Sequence, residues 1–169
     1  PGGANFQGAD LRGADMTQAN LMRANLSGAK LQDAILNSVI LSGRDMHEFD
    51  LRGVSLRDAN LSAADLRGAN LAGAKLGAAI FDARTTKLAR CCLREADLTY
   101  CDMMNQDFSE VDLTDAILER TNLVGCTFFG TIISRGTRFT RANLSSVDFG
   151  GRPLIRVDFS GAALVGTSF

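Results

Sequence analysis

The sequence predicts an all-β solenoid, a chain that turns once every five residues and stacks on copies of itself. Three observations predict it. A large apolar residue, here called i, recurs every five positions from Phe6 through Leu11 and Met16 to Phe81, again from Leu88 to Ile133, and again from Phe139 to Phe169. All thirty-three are Leu, Phe, Met or Ile. The residue at i−2 is small in most units, with sixteen Ala, five Val, five Thr and three Cys. Asp or Asn fills i−1 in eighteen units, and Gly recurs at i+2, where a corner favours it. The run from Ala59 to Ala78 states the rule four times over.

Each competing element fails on its period. In an α-helix five residues advance by about 500°, so successive i residues would spiral around every face. In an unbroken strand an odd period would send them to alternate faces. One large and one small inward residue followed by a corner meet the pattern, and units this short bury a face only by stacking at about 4.8 Å. After Asp82-Ala83 two extra residues, Arg84 and Thr85, interrupt the period, and one extra residue near Gly136 does so again. Both insertions are expected to bulge at corners, at Arg84 and Thr85 and at Arg135 and Gly136, and their basic neighbours Lys87, Arg138 and Arg141 would make each bulge a small positive knob.

The A-(D/N)-L-x-x units resemble the pentapeptide-repeat family along essentially the whole chain. The resemblance implies a right-handed quadrilateral parallel β-helix of about eight coils, four units to a coil, with i and i−2 inward. At the strand spacing this is a rod of roughly 40 Å. It also implies two settings for function: a module of a secreted bacterial effector or secretion-associated protein, and, as in the quinolone-resistance members, a mimic of duplex DNA that binds type II topoisomerase.

Composition bounds the rest. The 169 residues, 46% of them hydrophobic, suffice for one domain spanning 1–169. Eighteen basic against nineteen acidic residues give a net charge of −1, which predicts neither a nucleic-acid nor a membrane partner. The same balance is poor material for replacing DNA phosphates. No apolar run reaches transmembrane length, and no basic region leads into an apolar core as in a signal peptide. Cys91, Cys92, Cys101 and Cys126 follow no disulfide or zinc spacing, so a reducing compartment fits, in a cytoplasmic protein or one secreted without a signal peptide. Repeats running by Ala4 behind Pro1 lead us to expect part of a longer chain whose flanks cap the coil ends.

Several departures from the rule stand out. Arg44 and Arg152 occupy i−2, where the charged head must escape to water or the coil must widen. Phe49 and Gln106 are also oversized there, and Pro153 at i−1 removes a ladder donor. Phe108, Phe128, Phe149 and Phe169 would stack on one side as an aromatic ladder.

No catalytic constellation emerges. Cys91, Cys101 and Cys126 fall at i−2 and read as small interior residues, while Cys92 at i−1 faces out with Arg94 as its only cationic sequence neighbour. His47 is the single histidine and sits at an outward corner. The Asp and Asn at i−1 are spread over all sides, whereas acid-base catalysis needs two carboxylates in one pocket. We expect no enzyme activity, no cofactor and no metal site.

Sorting four units to a coil gives four sides. The first, holding Phe6 and Phe169, carries nine charged residues, the second twelve and the third ten. The fourth carries three, Arg23, Asp82 and Asp102, and presents Met22, Ile40, Ile80, Met104, Val124 and Val165. A long charge-poor side is a candidate docking face for a protein partner of unknown identity, or for self-association; a coil end offers a second route to self-association.

Overall fold

The computed structural model describes residues 3–82, 85–134 and 136–169. Parallel bridges join most i−1 residues to the one twenty positions later, as Asn5 to Asn25, Asp15 to Ile35 and Asn60 to Ile80. Four units therefore return the chain to the same side. Across the two insertions the partners become Asp65 to Lys87 and Ile117 to Arg138, so the extra residues are absorbed at corners and no side changes.

The backbone explains why the unit has five residues. The i amide donates to the i−1 carbonyl of the next coil (Phe6 to Asn25, 2.8 Å), and the i−1 amide there donates back to i−2 (Asn25 to Ala4, 2.8 Å). The i+2 amide reaches the i+1 carbonyl of the next coil (Gly8 to Ser27, 2.9 Å), and the following i−2 amide closes the corner on i (Ala9 to Phe6, 2.9 Å). Only the i+1 amide lacks a backbone acceptor. In all eighteen Asp or Asn units the i−1 side chain accepts that proton through Oδ1, from Gln7 on Asn5 at 3.1 Å to Ser160 on Asp158 at 2.8 Å. This is an Asx turn at the corner. The i+2 residue then takes positive φ, in Gly68 (66°) and equally in Arg90 (64°) and Tyr100 (65°).

Inside, the i residues Leu31 through Leu76 and, apart from Arg44 and Phe49, the i−2 residues Ala34 through Ala79 form the buried core. The polar i−2 residues use the second lone pair of a corner carbonyl one coil back: Thr121 Oγ1 donates to Leu98 O (3.0 Å), Thr131 to Phe108 O (2.7 Å) and Thr137 to Leu113 O (2.8 Å). The predicted Phe ladder is present, with Phe108 and Phe128 stacked at 5.2 Å and Phe149 and Phe169 at 5.6 Å. A second column on the opposite side, Phe139 over Phe159 at 5.3 Å, meets it edge to face, as Phe149 does Phe159 at 5.8 Å.

The oversized residues each have a local solution. The first insertion widens its corner, and buried Gln106 one coil above fills it, donating Nε2 to Asp82 O at 2.9 Å. Phe49 is partly buried against the core. Pro153 lacks the amide that would meet Thr131 O, and Arg152 supplies Nη1 to that oxygen at 2.5 Å while its Nε donates to Phe149 O at 2.7 Å. Arg44 is less well matched: Nη1 reaches Met22 O at 2.9 Å, but Nε is buried without a partner. Corner residue Arg23 beside Met22 is not among those with positive φ.

Of the bulge residues, Arg84 and Arg135, with Ala83, lie outside the described residues. Thr85 donates its amide to Asp82 O at 3.3 Å. Gly136 packs so closely on Asp115 that a Cβ would overlap Oδ1, which explains glycine there. The basic knobs are partly neutralised, since Lys87 pairs with Asp65 at 3.2 Å.

These two arginines should respond in opposite ways. Arg44→Ala restores the repeat's own residue and removes an unpaired buried donor, so it should raise unfolding free energy by about 1 kcal/mol. Arg152→Ala leaves Thr131 O without a donor and should lower it by about 1 kcal/mol. Chemical denaturation of the two variants beside the parent checks both signs.

Candidate interaction surface

The fourth side is one continuous ladder: Asn20, Ile40, Asn60, Ile80, Asp102, Asn122, Asn143 and Ala163 are bridged in turn. Ile40 and Ile80 stand in it, and Met22, Met104, Val124 and Val165 follow two residues after their own ladder positions, so all six face the same side. Met22 is 44% exposed, Ile80 53%, Met104 37% and Val165 75%, while Ile40 and Val124 are half-buried. The polar residues between them are occupied with their own corners: Asn60 accepts from Ser62 N at 3.0 Å, and Asn143 from Ser145 N at 3.2 Å and Ser145 Oγ at 2.8 Å.

On the other sides charge is clamped in place. Arg12 pairs with Asp10, Arg52 with Asp50 and Arg67 with Asp65, each at 2.6 Å and each bridging two residues within one corner. The guanidinium of Arg52 beside Asp50 holds its carboxyl down to about 2, and Arg12 does the same for Asp10. Arg67 holds Asp65 well below the usual carboxylate range. For Asp97 burial pushes the other way, yet the Thr99 hydroxyl and amide outweigh it and the shift is downward. These carboxylates are structural acceptors held ionised by their donors.

The thiols sort as the period predicts. Cys91, Cys101 and Cys126 are buried, and burial pushes the last two up to about 12 and Cys91 higher. Cys101 and Cys126 donate Sγ–H to Leu76 O and Met103 O at 3.1 and 2.9 Å. Cys92 is half-buried on the second side. His47 is exposed with Nδ1 on Arg67 O at 2.6 Å, the geometry of a surface hydrogen bond. Among the described residues no cluster of three or more His, Cys, Asp or Glu could hold a metal, and no helix is long and apolar enough to cross a membrane.

One apolar cluster escapes the charge count by side. Phe129 at the end of the first side, and Ile132 and Ile155 beside Pro153 on the second, are 78%, 54% and 72% exposed on the late coils. The second side is the most charged overall, which hides the cluster; the i−1 and i+1 residues read coil by coil would have revealed it.

A parallel solenoid with five-residue sides, its bridges recurring every four units, is the architecture of a repeat protein. The chain belongs to the pentapeptide repeat family, whose model matches eight copies at residues 3–43, 45–82, 91–130 and 107–137. The right-handed β-helix is the fold of that family. Comparison with curated protein sequences gave no match. Among solved structures the chain is similar to HetL, a pentapeptide repeat protein involved in heterocyst differentiation regulation in the cyanobacterium Nostoc sp. strain PCC 7120, at 25% identity, covering 98% of this chain and 82% of that one, with a TM-score of 0.42. It is similar to full-length QnrB1, a plasmid-mediated fluoroquinolone resistance protein, at 15% identity over 92% and 84%, with a TM-score of 0.43. It is also similar to a pentapeptide repeat protein of the Arabidopsis thaliana thylakoid lumen, at 32% identity over 69% and 67%, with a TM-score of 0.26.

The depressed carboxylates set an acid limit. A folded-state value below the unfolded one adds stability that is full above about pH 4. It is lost as pH falls through about 2, the value for Asp50. The melting temperature should therefore stay level from pH 7 to 5 and drop between pH 4 and 2, as followed by circular dichroism; a level profile to pH 2 would contradict the assignment.

Proposed function

We propose that the chain is a non-enzymatic scaffold or protein-interaction module, a rod of about eight coils within a larger bacterial protein of the effector or secretion-associated kind, and that its fourth side is the docking surface. The observation that carries this is the single ladder from Asn20 to Ala163, which gathers Met22, Ile40, Ile80, Met104, Val124 and Val165 on a side with three charged residues. The carboxylates that an enzyme would need are tied into corners, and three of four thiols are buried. Arginine paired to aspartate within one unit also leaves no phosphate-like run of negative charge, which weighs against duplex mimicry.

Placing Met104→Lys and Val124→Lys together puts two charges in the middle of that side. Light scattering should show a lower mass if copies associate through it, and a purified partner should be captured at least tenfold more weakly. Unchanged mass together with unchanged capture would remove the docking assignment.

A further inference from the structure

We infer that the occupant of the fourth side is a single amphipathic α-helix laid along the rod axis; this rests on the reading of that side as the docking surface. Size is the first argument. The ladder from Asn20 to Ala163 takes seven coil steps, so it is about 34 Å long at about 4.8 Å per step and about 10 Å across, three residues of extended chain. Its roughly 340 Å² is under half of the roughly 800 Å² that each partner contributes to a standard interface between folded proteins. A globular partner, or a second copy of this chain, would have to spread over the corners onto sides with nine and ten charged residues. A helix is about 10 to 12 Å wide and spans 34 Å in about 23 residues, so it stays within the charge-poor strip.

Spacing is the second argument. Ile40 and Ile80 lie two coils apart in one ladder, about 9.6 Å, against about 10.5 Å for helix positions seven apart. Ile80, Met104 and Val124 fall on three consecutive coils, matching the step of about 5 Å between successive apolar residues on one helix stripe. Beyond Arg23 the edge toward the first side is low, with Gly43, Ala63, Gly125, Ser146 and Gly166 at its corners and Asn105 the largest residue among them, and it admits a helix backbone closely. The edge toward the third side carries exposed Asp58 on an early coil, exposed Tyr100 with Arg120 bonded to its hydroxyl in the middle, and exposed Arg141 on a late coil. The complementary helix is therefore apolar on one stripe, basic on the flank over Asp58 and acidic on the flank over Arg141.

The probe is a displayed library of 23-residue helices with a fixed Leu, Ile and Met stripe and randomised flanks, selected on the whole chain. Selected helices should carry flanking charges of both signs and bind the parent at least tenfold more tightly than Ile80→Lys/Met104→Lys. They should bind Ile35→Lys, an exposed change on the third side, like the parent, with circular dichroism confirming that both variants keep the fold. Failure to select any helix, or helices that bind the double variant equally well, would overturn the inference. If the double variant loses self-association or a purified partner while no helix binds, the docking side stands and the helix is wrong; if it changes neither, both fall.

Discussion

In the repeating coil four of the five amides of a unit find backbone acceptors, and the fifth, at i+1, does not. That one unpaired donor shapes most of the sequence. An Asp or Asn at i−1 reaches it with Oδ1 because two residues separate them across the corner, as Asn60 does for Ser62 and Asp65 for Arg67. Where i−1 is Ser55, the neighbouring coil answers instead, and Arg57 N donates to Asn37 Oδ1 at 3.2 Å. The side chains that look chemically active in the sequence are thus structural acceptors, and the arginines beside Asp10, Asp50 and Asp65 keep those carboxylates ionised.

The interior follows a parallel rule. Each corner carbonyl closes its own turn with one lone pair and leaves the other pointing inward, so Thr, Cys or Gln at i−2 can be buried without an orphaned group. Thr131, Cys126 and Gln106 all use it. Arg152 extends the same logic by covering the oxygen that Pro153 abandons. Arg44 does so only in part, and its unpaired Nε marks the least settled point of the core.

Much of this was legible in the chain. The five-residue period carried the solenoid, and the sorting of Met22 through Val165 onto one side followed from counting units, because neither insertion changes a side. What stayed hidden depends on neighbours one coil away. Nothing adjacent to Gln106 in sequence says that the corner at Asp82 is wide enough to hold it, nor does the Arg152-Pro153 pair show that one residue repairs the other. The second Phe column, Phe139 over Phe159, was readable but belongs to a different side from the first, and its edge-to-face contact with Phe149 exists only across the interior. Phe129, Ile132 and Ile155 were masked by summing charge over whole sides, because they straddle the first and second sides and stand among charged residues such as Arg156.

The proposed docking side lies where the repeat makes fewest demands, on outward side chains that close no corner and fill no core. This division depends on the i−1 side chains being essential to the fold. Equilibrium denaturation of Asn60→Ala/Asn70→Ala, two corners on different sides of the rod, tests it most directly. The account predicts a loss of about 1 kcal/mol at each site, close to additive, in line with the cost of removing a capping side chain. A midpoint equal to that of the parent would contradict it.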